Sequence, residues 1–316
     1  MAVCSGLLFH GRVSPFDPRL SPLGYFMHLA TYNIRGRLSF GVISGDGVVD
    51  LRPRLAPRLI SVLDVLRAGA LDEVRQIAAG VRADFPLTEV ELLPPVVGGE
   101  KILCIGVNYA NRNAELTAAG GNTEAKYPSM FFKPPNTFVA HNQPILRPPE
   151  SEQLEYEGEI ALVIGKTGRR IARERALDHV AGITMCNEGT IRDWIRHGRF
   201  NVTQGKCWDA TGSIGPWMTT DVDLTKPLHI TCKINGEVTQ DDTTDHMIFG
   251  FIDILSYVST FMTLKPGDII ATGTPTKLNQ KADERKWLKA GDTFEMHVPE
   301  IGTLKNTVQD EKTLAI

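Results

Sequence analysis

Three glutamates at alternate positions, Glu155, Glu157 and Glu159, open the otherwise apolar segment LEYEGEIALVIGK. Alternate side chains of an extended strand share a face, so this spacing predicts three carboxylates on one side of a single strand. Like charges so placed repel, and solvent, Lys or Arg partners, or a hard cation that accepts carboxylate oxygens must offset them. The apolar continuation favours an enclosed site; the competing expectation is an exposed, charged edge strand.

A second polar cluster, CNEGTIRDW, sets Asn187, Glu188, Arg192 and Asp193 directly after the apolar run AGITMC. Polar residues at the end of a buried strand are held rigidly yet remain reachable by a ligand. The same residues also fit a helix start, with Asn187 as cap and Glu188 near the positive end of the dipole. Lys206, in QGKCWDATGSIGPW, lies among turn-forming residues, where a partly desolvated lysine acts as a general base or an anion ligand. The run ATGTP offers backbone N–H groups and the Thr274 hydroxyl to an anion, but lacks the GK[ST] ending of a nucleotide-binding loop.

The elements that must position these groups are legible in part. From His28 to Asp50 the runs HLATYNI, LSFGVIS and GVVDL are broken by Arg-Gly and Gly-Asp-Gly, which predicts short hairpins; ISVLDVLRAG and LDEVRQIAAGV then carry helical periodicity. The Pro- and Gly-rich LLPPVVGG reads as a linker. Beyond Lys101 short apolar runs dominate, with helical pieces only at ARERALDHV and MIFGFIDILSYVSTFM. The expected class is therefore mainly β (α+β): a small N-terminal α+β domain at 27–96 and a catalytic domain of mixed sheets at 97–316. Residues 1–26 are rich in Pro, Gly and Arg and are expected to be a non-native or disordered extension, with Met27 as the physiological start; native peptides from upstream of Met27 would reject this.

Bulk properties exclude other classes. The 316 residues, 42% hydrophobic and 22% charged, describe an ordinary folded chain, and a net charge of -3 without blocks of like charge provides no field for nucleic acid or an anionic membrane. The most apolar stretch, Met247 to Met262, is 16 residues long and interrupted by Asp253, which is too short to span a bilayer. Five cysteines without a CxxC pair fit a reducing, cytoplasmic setting better than a disulfide scaffold or structural zinc.

Six ordered strings, GVNYANRNAEL, YEGEIALVIGK, AGITMCNEGTIRDW, GKCWDATGSIGPW, INGEVTQDDTTDHMIF and LKPGDIIATGTP, together resemble the fumarylacetoacetate hydrolase family, over about two-thirds of the chain from Lys101 to Val308. The nearest branch in character is that of 2-hydroxyhepta-2,4-diene-1,7-dioate isomerases and acylpyruvate hydrolases. The resemblance implies a mainly β catalytic domain folded as a distorted barrel-like roll, usually a homodimer. It implies Mg²⁺ or Mn²⁺ held by Glu157, Glu159 and Glu188, with Glu188 at a position the family gives to Asp. It further implies a catalytic Lys206, and Gln240 and Thr274 against the head of a small 2-oxo acid substrate, with Lys133 and Tyr109 near the same pocket.

One departure bears on the reaction. Hydrolytic members resemble NYxDHxxE, with a His and a Glu that activate water, whereas this chain reads Asn108, Tyr109, Ala110, Asn111, Arg112, Asn113, Ala114, Glu115. Arginine keeps its proton and cannot be the base of such a dyad. Glu115 then positions water alone, Arg112 binds a second substrate carboxylate, or His141 substitutes for the lost imidazole from a neighbouring loop. The leading expectation is hydrolysis of a C–C bond in a 2,4-dioxo acid of acylpyruvate or fumarylpyruvate type through a metal-stabilised enolate. The rivals are isomerisation or decarboxylation of an unsaturated 2-hydroxy or 2-oxo dicarboxylate from aromatic catabolism, and a non-catalytic 2-oxo acid binding protein.

Overall fold

Arg35 and Gly36 both adopt left-handed backbone, with φ of 51° and 77°, the geometry of a two-residue hairpin turn whose twist matches its strands. The turn pairs His28–Ile34 with Arg37–Ser44, and the next hairpin adds Gly47–Asp50. The computed structural model describes residues 26–112, 125–278 and 286–312.

These first strands do not form a sheet of their own. His28–Ile34 pairs with Gly212–Thr219, and the order continues through Val180–Asn187, Gly158–Ile164, Ile269–Ala271 and Ile102–Gly106 to Ser129–Lys133. The result is a mixed sheet of twelve strands. A second sheet of five strands runs in the order Glu237–Thr243, His229–Ile234, Thr293–Val298, Gly302–Asp310, Ile145–Arg147. The architecture is mainly β, as expected, and the path of the large sheet does not close into a barrel among the described residues.

Gly158–Ile164 is buried along its whole length. Its alternate residues enter two different cores: Ile160, Leu162 and Ile164 pack in the cluster that holds Ile254, Leu255 and Val258, whereas Ala161 and Val163 pack with Val62, Val65 and Leu66. Burial on both faces explains why the segment is continuously apolar rather than alternating. The helix Phe251–Phe261 buries Phe251, Ile254, Leu255 and Val258, the one-faced pattern of a surface helix. The helix Val62–Ala68 starts at Ser61, whose hydroxyl accepts the Asp64 N–H at 3.1 Å, and ends at left-handed Gly69. Among the described residues no helix is long and apolar enough to cross a membrane.

The strand expected to carry all three glutamates is interrupted. Leu154–Glu155 pairs with Thr190–Ile191 in a separate two-stranded sheet, and only Glu159 lies within Gly158–Ile164. The cause is a long-range contact: the Glu157 carbonyl accepts the Glu188 N–H at 2.8 Å, and the Glu157 N–H donates to Asn187 Oδ1 at 2.8 Å. The turn that makes these bonds needs Gly189, where a Cβ would lie 1.8 Å from the Thr211 carbonyl oxygen.

His28 joins the first hairpin to the large sheet through a 3.0 Å hydrogen bond between Nδ1 and Thr219 Oγ1, and its buried Nε2 has no partner among the described residues. Burial lowers its pKa from 6.5 to about 4. The unfolded chain therefore takes up this proton first, and stability falls as pH drops from about 6.5 to 4, by up to about 1.4 kcal/mol per unit. Urea unfolding of His28→Gln across this range should show a flatter acid limb than the wild type; an equally steep limb would assign the acid sensitivity elsewhere.

Candidate active site

Antiparallel pairing of Gly158 with Asn187 places the residues just outside that pair, Glu157 and Glu188, side by side, and Glu159 follows one residue into the strand. All three are buried, and one carboxylate oxygen from each lies within 4.8 Å of the other two. Thr190 Oγ1 donates to Glu157 Oε2 at 2.8 Å, and the Gly273 N–H donates to Glu159 Oε2 at 2.7 Å. Neither competing expectation holds: the glutamates are not on an exposed edge, and Asn187 ends a strand rather than capping a helix. The extra methylene of Glu188 does not keep its carboxylate from the cluster.

Burial raises the Glu159 pKa well above the usual carboxylate range, and the charges of Glu188 and Glu157 add to the rise. Glu188 is raised by burial against the opposing charge of Lys206. Burial also works to raise Glu157, but Lys206 and Arg192 more than reverse this and leave it at about 2. Two carboxyls that resist ionisation beside a third that is ionised make a site short of positive charge. Three oxygen donors without nitrogen or sulfur suit a hard divalent cation such as Mg²⁺ or Mn²⁺.

Lys206 ends the one-turn helix Thr203–Lys206, with its ammonium against Glu157 and 2.7 Å from Glu188 Oε1, over the Phe131 ring. Burial opposes its charge, yet Glu157 and Glu188 prevail and raise its pKa above the ordinary lysine value. Lys206 is thus held in its charged form beside the two carboxylates. Gln240 Nε2 donates to Thr274 Oγ1 at 2.9 Å and to the Pro275 carbonyl at 2.6 Å, so these two residues meet as expected. Gln240 Oε1 also accepts the Gly158 N–H at 3.4 Å, which ties the pair to the glutamate strand. Lys133 is buried and donates to the Gly189 carbonyl at 2.9 Å, immediately after Glu188. Tyr109 is buried, and its hydroxyl has no hydrogen-bond partner among the described residues.

Arg112 lies inside this site, with Nη2 3.2 Å from Glu155 Oε1 and 3.9 Å from Glu157 Oε1. Glu115 lies outside the described residues. His141 accepts the Lys305 N–H at 3.1 Å through Nδ1, which bonds it to the C-terminal strand and not to the carboxylates. Two participants carried no signal that was used: Thr190, and Lys277, which is buried with its ammonium on Glu155. Lys277 follows ATGTP by two residues, in the irregular stretch beyond the buried strand Ile269–Ala271.

Residues 101–309 match the sequence profile of the fumarylacetoacetate (FAA) hydrolase C-terminal family. The chain belongs to the fumarylacetoacetate hydrolase family. Oxaloacetate tautomerase FAHD2A, mitochondrial, of Bos taurus is 35% identical to it over 272 residues, 84% of this chain and 85% of that protein. The structure of 2-hydroxyhepta-2,4-diene-1,7-dioate isomerase from Mycobacterium marinum superposes with a TM-score of 0.70 at 27% identity, covering 91% of this chain and 100% of that one. That of maleylpyruvate hydrolase from Sphingobium sp. SYK-6, in complex with manganese(II) and pyruvate, gives 0.73 at 26% identity, covering 90% and 100%. These fumarylacetoacetate hydrolase relatives bear the names of three reactions, so membership makes this chain an enzyme of the family without selecting among them.

Removing one carboxylate separates metal binding from stability. In metal-free protein Glu159→Gln relieves repulsion and should leave the melting temperature unchanged or raise it by a few degrees, whereas the rise produced in the wild type by excess Mn²⁺ should vanish. Differential scanning fluorimetry with and without Mn²⁺ checks both outcomes; a metal-induced rise that survives in the variant would remove Glu159 from the ligand set.

Proposed function

We propose that this protein is a divalent-metal-dependent enzyme that forms and protonates enolates of 2-oxo acids, interconverting keto and enol or isomeric forms rather than cleaving a C–C bond. The observation that carries this choice is Arg112, a cation in contact with Glu155 at the place where a water-activating base was expected. None of the seven histidines among the described residues is bonded to the carboxylate cluster; His246 comes nearest to Arg112, on Asp242, which also accepts from Asn111. Enolate chemistry needs a proton shuttle and no activated water. Similarity to the bovine oxaloacetate tautomerase over most of both chains supports it.

Mg²⁺ or Mn²⁺ held by Glu157, Glu159 and Glu188 would supply a Lewis acid to the 2-oxo and carboxylate oxygens. Lys206 holds a proton beside Glu157 and Glu188 and delivers it to, or steadies, the developing enolate. Gln240 and Thr274 orient the acid head, with Lys133 and Tyr109 closing the surrounding wall. Glu115 is assigned as the companion proton acceptor. Hydrolysis of a 2,4-dioxo acid is the second reading, supported by the likeness to maleylpyruvate hydrolase, and it needs Glu115 to activate water without an imidazole. In either case 27–96 is taken as a small N-terminal unit on a catalytic segment, 97–316, in a homodimer. The four described cysteines, all free, support a reducing compartment such as the cytoplasm. Light scattering and subcellular fractionation test these two assignments.

Proton NMR with Mg²⁺ against oxaloacetate, acylpyruvates and hydroxymuconate-type diacids decides the reaction. Isomerisation conserves mass and places solvent deuterium at C3, and EDTA should stop it; two acid products from an acylpyruvate would favour the hydrolytic reading. Lys206→Met should lower kcat by about 10²-fold or more. Because it deletes a cation beside two ligands, it should bind Mn²⁺ at least as tightly as the wild type in calorimetry. Weaker metal binding together with lower activity would make Lys206 a structural support of the site.

A further inference from the structure

The segment that brings Arg112 to the carboxylates is also bonded outward, to the chain that follows Gln240. Asn108 donates to the Phe249 carbonyl at 2.9 Å and to the Thr272 carbonyl at 2.8 Å, its side-chain oxygen accepts the Phe249 N–H at 2.9 Å, and Tyr109 bridges to Met247. Gln240 and Asp242 are alternate buried residues of the strand Glu237–Thr243, with exposed Asp241 between them, so both face inward. The Asp242 side chain is 6% exposed, and its two oxygens serve opposite directions. Oδ2 accepts the Asn111 side-chain N–H at 2.8 Å, and Asn111 Oδ1 accepts the Arg112 backbone N–H at 2.7 Å. Oδ1 lies 2.6 Å from Nδ1 of His246, whose side chain is 63% exposed. On the inner side, the buried Tyr109 hydroxyl has no hydrogen-bond partner among the described residues. After burial, the charges of Asp242 and then Glu159 do most to raise its pKa, which places the hydroxyl within reach of both.

We propose that His246, Asp242 and Tyr109 form the path by which the site draws protons from solvent. The proposal rests on the enolate reading above and adds to it the source of the proton. Each protonation of an enolate leaves the site's donor one proton short, and recharging a buried donor needs a chain of groups that take up and release protons. The His246 Nδ1–H bond breaks as an O–H bond forms on Asp242. One water carries that proton on to the Tyr109 hydroxyl oxygen, which yields its own proton to the site, since a hydroxyl both accepts and donates. The exposed imidazole then turns and regains a proton from water or buffer. One proton enters for each one spent, and no other reactant is consumed. Asp242, with a smaller contribution from Asp245, holds the His246 pKa above its ordinary value, which favours the charged ring that starts the transfer. As an exposed ion pair alone, His246 and Asp242 would contribute little. Burial of the carboxylate and its second bond toward Arg112 are what give the pair a use inside the site.

Chemical rescue tests the path on the full-length, Mn²⁺-loaded protein, with oxaloacetate in weak buffer and the enzyme-free rate subtracted at each imidazole concentration. His246→Ala should lower kcat about 10-fold with KM and Mn²⁺ affinity changed by less than about 2-fold, and about 50 mM imidazole should restore most of the loss. Asp242→Asn, whose amide does not take up a proton, should lower kcat as far and gain nothing from imidazole, because the break lies behind the ring. An unchanged kcat in His246→Ala, or a loss that imidazole leaves in place, would overturn the proposal. A wild type that cleaves an acylpyruvate but does not tautomerise oxaloacetate would remove the enolate-interconversion reading and leave the path to be judged by the same rescue series on cleavage, whose product enolate also takes up a proton. Inactivity toward both acids would overturn the two together.

Discussion

Mutual repulsion among Glu157, Glu159 and Glu188 is the constraint to which the rest of the molecule answers. Their oxygens lie within 4.8 Å of one another in a buried setting, where two unit charges repel by at least about 3 kcal/mol at the effective dielectric that suits protein interiors. Three such pairs approach the whole net stability of a typical domain. The full set of charges is therefore tolerable only with compensation, and each neighbouring element contributes some: the Gly273 N–H, the Thr190 hydroxyl, and the charges of Lys206 and Arg192. Raised pKa values at Glu159 and Glu188 show that the chain's own cations do not complete the task. A hard cation would.

A scaffold for such a cluster must hold it against repulsion, and the two-sided strand Gly158–Ile164 does so. With Ile160, Leu162 and Ile164 locked in one core and Ala161 and Val163 in another, the strand cannot rotate to release Glu159 toward water. A one-residue slip would exchange both apolar sets at once. Glu157 and Glu188 are fixed by a different device, the backbone and side-chain bonds through Asn187 and the turn at Gly189, where no side chain fits. Rigid packing places one carboxylate of the cluster and a hydrogen-bonded turn places the other two.

The legible parts of this arrangement were those encoded over short distances. The hairpins from His28 to Asp50 and the helices Val62–Ala68 and Leu71–Ala78 follow from alternation, periodicity and turn residues within a few positions. Alternation also drew attention to Glu155, Glu157 and Glu159, although it wrongly placed them on one strand, because the break at Glu157 depends on Asn187 and Glu188, some thirty residues away. Lys277 joins Glu155 across 122 positions and Arg112 joins it across 43, separations over which no local pattern speaks. His141 looked close to the site in sequence and is bonded to a different strand.

Glu157 is the hinge of the electrostatics, since it touches Lys206 and Arg192 and lies near Arg112 while belonging to the carboxylate cluster. A guanidinium does not surrender its proton, so the charge of Arg112 is as permanent as that of a bound metal. Among the described residues the site is consequently graded, with carboxyls that resist ionisation at Glu159 and Glu188 on one side and Arg112, Arg192 and Lys277 gathered on Glu155 on the other. A cation placed on the carboxylate cluster would draw the Glu157 charge away from Arg192 and Arg112, so its binding would be felt at Glu155 through one shared carboxylate, with no movement of the fold required.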